Sequence, residues 1–256
     1  MIDLRVEGGV AHVTLNAPEK LNALSLAALG ELGEAYAEAE RAGVRALVLS
    51  GEGRAFCAGR DIAGVDPRSD DIPGYLDETL TPLLQQIAAF PAPTFAAAHG
   101  ACLGVGLGLL IASDVVYIAD TARIGSPFAA LGAALDSGGH ALFFERMGAH
   151  LTLDLVYTGR LISGADAVQR GLFSQSFTED AVLAATREAA ARAASGPTAA
   201  FVASKRIIAR LRDERAGLWA AMGAENQAQA ALSATDDYRE GFAAFQEKRP
   251  PVFRGR

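Results

Sequence analysis

His99-Gly100-Ala101-Cys102-Leu103-Gly104-Val105-Gly106-Leu107-Gly108 stands between an apolar run at 94–98 and another at 114–119. Its glycines suit a tight turn that a second chain segment or a ligand can approach closely. Its position before a short apolar helix leaves unpaired N–H groups and the positive end of a helix dipole at the turn. Close helix packing alone explains many glycine clusters. A dinucleotide site is a sharper alternative, but Gly104-Val105-Gly106-Leu107-Gly108 does not spell G-x-G-x-x-G, and no Gly-Lys-Ser/Thr of a Walker type occurs.

A second segment of the same character, Phe56-Cys57-Ala58-Gly59-Arg60-Asp61-Ile62, follows the compact apolar run Val44 to Leu49. That run reads as a buried strand, and residues 51–70 read as a functional loop rich in Gly, Asp and Arg. Upstream, 2–6 and 10–15 flank Glu7-Gly8-Gly9 and predict a hairpin. Ser25 is placed to cap a helix with Leu26, Leu29, Leu32 and Tyr36 on one face. A helix through Leu83, Leu84 and Ile87 must end before Pro91 and Pro93. Strands separated by helical crossovers predict parallel pairing in an α/β core.

From about residue 140 strand signals almost vanish, and helices are expected at 139–147, 150–157, 163–169, 179–194, 198–212, 215–232 and 236–247. Ser163 with Asp166 resembles a capping box, and Pro197 suits a first helical turn. Phe201, Ile207, Ile208, Leu211, Leu218, Trp219 and Met222 are expected to cover both the core and a neighbouring subunit.

The bulk properties exclude several classes. With 256 residues, half of them hydrophobic, the chain can bury a full core. A net charge of −7 argues against a general polyanion surface, so no nucleic-acid partner is expected. The apolar stretches 92–98 and 107–112 are too short to span a bilayer, and Met1 to Arg5 reads as a strand rather than a signal peptide. Cys57 and Cys102 have no metal-ligand spacing, so neither a disulfide framework nor a zinc site is expected, and a reducing, cytoplasmic setting suits the chain.

Taken together, five separated segments resemble the enoyl-CoA hydratase/isomerase, or crotonase, superfamily. They are Leu15-Asn16-Ala17-Pro18-Glu19-Lys20-Leu21-Asn22-Ala23-Leu24, the two glycine-bearing turns, Ala165-Asp166-Ala167 leading to Gly171-Leu172, and Glu240-Gly241-Phe242-Ala243-Ala244-Phe245-Gln246-Glu247-Lys248-Arg249. The resemblance implies a crotonase-like α/β spiral of ββα turns, with a core over 1–195 and a C-terminal helical trimerisation region over 196–256. It implies an acyl-CoA substrate, assembly as a homotrimer or hexamer, and no cofactor beyond the coenzyme A carried by the substrate.

By motif position, the resemblance makes the backbone N–H groups of Ala58 and Val105 the donors to a thioester oxyanion. Glycine is common in the family where this chain has Val105. Each such donor contributes roughly 3–4 kcal/mol where one has been removed in other enzymes. The resemblance also lays the coenzyme along Lys20, Leu21, Ala23, Ala58, Gly59, Asp61 and Ile62, with Lys248 toward its phosphates. For Lys20 and Lys248, ordinary solvated lysine is an equally good reading.

The family's hydratases use two glutamates, and those positions hold Gly108 and Phe128 here. Phe128 is expected to line the acyl pocket and keep water out. Asp136, in Gly132-Ala133-Ala134-Leu135-Asp136-Ser137-Gly138-Gly139, has two readings. As a helix N-cap it is structural; as a base it would have a pKa raised by burial near Phe128, Leu131 and Leu135. Isomerase branches of the family carry an acid at this position, so the resemblance favours a double-bond or ring isomerase with Asp136 as base. Hydration, hydrolysis, substitution at Asp136 and simple acyl-CoA binding are the alternatives. Cys57 reads as packing, and His99 and His140 as structural histidines. Arg60 meets either a phosphate or solvent, and Asp61 either the ligand or the backbone of its own loop.

Overall fold

The computed structural model describes residues 1–63, 65, 69–128, 133–214, 226–227, 231–232 and 235–256. Most of the helix expected at 215–232, with Leu218, Trp219 and Met222, lies outside them, as do Leu131 and Gly132.

The hairpin forms as the alternating pattern predicts, with β1 (Ile2–Glu7) antiparallel to β2 (Val10–Leu15). From there every neighbour is parallel: β2 on β3 (Ala46–Gly51), β3 on β4 (Thr94–Ala98), β4 on β6 (Val115–Ala119), and β6 on β9 (Gln175–Phe177). β4 is buried at every position, as the short all-apolar run requires of a strand covered on both faces. A second sheet joins β5 (Ala101–Leu103), β7 (Arg123–Gly125) and β8 (Ile162–Ser163). β8 and β9 depart from the expectation of a purely helical second half. Both are two or three residues long, too short for periodicity to reveal.

Among the described residues the helices run in chain order as α1 (Leu26–Arg41), α2 (Thr81–Ala88), α3 (Val105–Ala112), α4 (Gly139–Thr158), α5 (Gly164–Gln169), α6 (Val182–Ala194) and α7 (Thr198–Asp213). After the incompletely described stretch, α8 (Asp236–Glu247) follows. The Ser25 hydroxyl accepts from the Ala28 N–H at 3.2 Å, capping α1 as expected. Leu29, Leu32 and Tyr36 are buried, whereas Leu26 at the first helical position faces solvent. Ser163 caps α5 by accepting from the Asp166 N–H. Pro197 sits one residue earlier than expected, at the cap of α7. The two helices expected across 139–157 run on as α4, broken at Gly148 by a left-handed φ of 73°.

Asn22 ties the early loop to the loop that follows β3. It is fully buried with φ of 56°, a conformation asparagine tolerates better than most residues. Its side chain accepts from the Ala17 N–H and donates to the carbonyls of Glu52 and Ala55, at 2.8, 2.9 and 2.7 Å. Asn22→Ala leaves those buried groups unmet and should lower stability by about 1–3 kcal/mol per group in chemical denaturation. A loss within 0.5 kcal/mol, on the order of an exposed-surface change, would contradict the role.

Candidate active site

The two glycine turns meet through backbone pairing. The Cys57 N–H donates to the Ala101 carbonyl and the Leu103 N–H donates back to Cys57, each at 3.0 Å. This pairing presses Gly106 so closely under Cys57 that any side chain there would overlap the Cys57 carbonyl. Gly59 (φ 109°) and Gly104 (φ 51°) face each other across the same seam. A Cβ on Gly59 would lie 3.1 Å from the Leu103 oxygen, and one on Gly104 would lie 3.8 Å from the Gly59 Cα. Both residues have a positive φ that glycine adopts without strain, and at Gly59 the Leu103 oxygen adds a tight approach.

Gly104 is the cap of α3, so Val105 opens that helix. The Val105 N–H has no acceptor among the described residues, as the first turn of a helix requires. Ala58 does not match it. The Ala58 N–H donates to the Leu21 carbonyl at 3.0 Å and is consumed in holding the early loop. The expectation that Ala58 supplies an open donor is therefore corrected. Beyond the turn at Gly59, the Arg60 N–H has no acceptor among the described residues, while Gly59 O and Asp61 N bond to Leu24 on the opposite side. The sequence reading missed Arg60 because motif position does not say which amide of a turn the fold leaves open.

The Arg60 side chain is turned inward rather than into open solvent. It grips Asp70 through two hydrogen bonds of 2.7 and 2.6 Å, which hold the Asp70 carboxyl below its ordinary range. Its guanidinium carbon lies 4.0 Å from the ring centroid of Tyr75. Tyr75 is buried in a π-helical segment (Gly74–Leu80) that leads into α2, and no sequence signal singled it out.

Asp136 is not a helix cap. Gly138 occupies that position, and the Asp136 Oδ1 instead accepts from the Ser137 hydroxyl at 2.7 Å. Burial pushes its pKa above the ordinary carboxylate value, outweighing the Ser137 hydrogen bond that pulls it down. The adjoining Ser137, itself at a left-handed φ of 54°, packs on Gly108, where an added Cβ would lie 2.7 Å from the Ser137 Cβ. A glutamate at 108 has no room in this arrangement. The Phe128 ring closes the other flank, 3.3 Å from where a Gly104 Cβ would stand.

The remaining expected residues fall as follows. Lys20 and Asp61 pair with each other at 3.0 Å, and Asp61 also accepts from the Ala63 N–H, so both brace the loop. Leu21 and Ala23 line the early loop at intermediate exposure, and Ile62 is exposed. Lys248 is exposed at the end of α8. His99 Nε2 contacts the Gly53 carbonyl at 2.8 Å, the structural reading, and His140 lies exposed on α4. Cys57 and Cys102, distant in sequence, face one another across an isolated bridge; burial pushes the Cys57 thiol up to about 12, so it is protonated and a poor nucleophile. Among the described residues no set of three or more His, Cys, Asp or Glu side chains is arranged for a metal, and no helix is long and apolar enough to cross a membrane.

Residues 5–256 match the family model described as enoyl-CoA hydratase/isomerase. The chain is 36% identical to a protein named "Probable enoyl-CoA hydratase" from Rhodobacter capsulatus, over 100% of this chain and 98% of that one. It is 31% identical to the 1,2-epoxyphenylacetyl-CoA isomerase of Escherichia coli, over 98% and 97%. The crystal structure of an enoyl-CoA hydratase from Bacillus anthracis superposes with a TM-score of 0.90 at 29% identity, over 100% and 99%. With this coverage and identity, the chain belongs to the enoyl-CoA hydratase/isomerase family and has the crotonase fold.

The Asp136 environment makes a prediction for stability. A carboxyl with a raised folded-state pKa binds more protons folded than unfolded just above its ordinary pKa, so stability falls as pH rises through that window. Asp136→Asn abolishes this loss. Its melting temperature should exceed that of the wild type at neutral pH, and the difference should close below about pH 4. A gain that is the same at every pH would show that desolvation is not its origin.

Proposed function

We propose that this protein binds an acyl-coenzyme A thioester and moves a carbon–carbon double bond from the 3- to the 2-position, with Asp136 as the proton-transferring base. One observation carries the reading: a partly desolvated carboxyl, Asp136, stands on the loop packed over Gly108, where the family's hydratases have a glutamate. Phe128 replaces the other glutamate with a ring that transfers no proton.

In this reading the thioester oxygen accepts from the N–H groups of Val105 and Arg60. These are fixed before the substrate arrives, so they stabilise developing negative charge without reorganising. Asp136 takes a proton from C2, and the electron pair moves onto the thioester oxygen to give a dienolate. The protonated Asp136 then delivers the proton to C4 as the carbonyl re-forms and the double bond settles at C2–C3. One carboxyl performs both steps, and its raised pKa brings it closer to the working pH of a general base. The coenzyme lies along Lys20, Leu21, Ala23, Gly59, Asp61 and Ile62, with the acyl group against Phe128.

The same reading takes residues 196–256 as the oligomerisation region. α7 buries none of its residues within the chain and exposes Ile208, which supports contact with a neighbouring copy in a homotrimer or hexamer.

The hydratase names of several relatives favour a second reading, addition of water to a 2-enoyl-CoA. Separate incubations of 3-enoyl-CoA and 2-enoyl-CoA in 18O-labelled water distinguish the two. The isomerase converts 3-enoyl-CoA to 2-enoyl-CoA without label, whereas a hydratase leaves 3-enoyl-CoA unchanged and converts 2-enoyl-CoA to labelled 3-hydroxyacyl-CoA. Asp136→Asn should slow isomerisation at least about 100-fold while thioester affinity stays unchanged. Activity within a few fold of wild type would remove Asp136 from the mechanism.

A further inference from the structure

Tyr75 carries a buried hydroxyl that has no hydrogen-bond partner among the described residues. The residue is 5% exposed, and its ring is held by the Arg60 guanidinium, itself locked on Asp70. The phenol is therefore positioned but unsatisfied. Burial is the largest influence on it and raises its pKa, and the charges of Arg60 and Asp136 both bear on it. It is thus a neutral donor held against the Arg60 side chain, in the field of the proposed base. A buried polar group without a partner is destabilising and uncommon unless a partner arrives with the ligand.

Resting on the acyl-CoA reading above, we infer that the missing partner is an oxygen on the acyl group, so that Tyr75 selects oxygen-bearing acyl thioesters over plain hydrocarbon ones. The thioester carbonyl has two lone pairs, and the N–H groups of Val105 and Arg60 take both. The Tyr75 hydroxyl is then free for a second oxygen farther along the chain. A neutral phenol suits a carbonyl, ether or epoxide acceptor, whereas a second carboxylate would be repelled by Asp136 nearby.

The test compares wild type with Tyr75→Phe by calorimetric binding of 3-oxo-, 4-oxo- and 5-oxohexanoyl-CoA against hexanoyl-CoA, which requires no turnover. Wild type should bind at least one keto thioester about tenfold more tightly than hexanoyl-CoA. Tyr75→Phe should lose that preference and keep the wild-type affinity for hexanoyl-CoA. Its ligand-free melting temperature should be equal or higher, because an unmet hydroxyl has been removed. The inference is overturned by an unchanged preference, by equal weakening of all four thioesters (donation to the thioester carbonyl), or by a lower melting temperature (a structural partner). Failure of hexanoyl-CoA itself to bind would overturn the acyl-CoA reading together with it. Loss of isomerase activity alone would leave the selectivity result standing.

Discussion

Two backbone hydrogen bonds, Cys57 N–H to Ala101 O and Leu103 N–H to Cys57 O, hold this site together. They join a loop that leaves one parallel strand to the turn that leaves the next, and side chains take no part in the bonding. Because the bonds draw two main chains to strand spacing, the residues beside them must be small. Gly106 lies directly under the Cys57 carbonyl, and Gly59 faces Gly104. The amides at the two turns that remain unpaired follow from this geometry: one opens α3, and the other lies past Gly59.

Around that seam the polar groups are organised to brace it. Asn22 stitches the early loop to the one after β3, and Ala58 spends its amide on Leu21. Lys20 and Asp61 close an ion pair at the rim. Arg60 holds Asp70 with its guanidinium and lays the same group over Tyr75. One residue thus links the open amide to the buried ring of Tyr75. On the far side, Ser137 fills the space over Gly108. A longer side chain at 108 and the loop before α4 compete for one volume, and in this chain the loop takes it.

Much of this was legible in the linear order of residues. Alternation marked the β1–β2 hairpin, short apolar runs marked the parallel strands, and Ser25 and Ser163 announced their helices. The glycines of both turns were visible, as were Gly108, Phe128 and the acid at 136. β8 and β9 were not, because two or three residues cannot display a period. Leu26 was misread because it lies at the edge of the face on which Leu29, Leu32 and Tyr36 are buried.

What the residues determined unaided is local: backbone conformations restricted to glycine, caps, burial patterns, and the supply of one carboxyl and no glutamate at the site. What only the tertiary structure decided is which groups remain unspent. Whether Ala58 or Arg60 keeps its amide depends on Leu21 and Leu24, more than 30 residues away, and the hydroxyl of Tyr75 is unmet because no acceptor among the described residues reaches it. Hydrogen-bond satisfaction is a property of what surrounds a group in space, and sequence spacing carries no record of it.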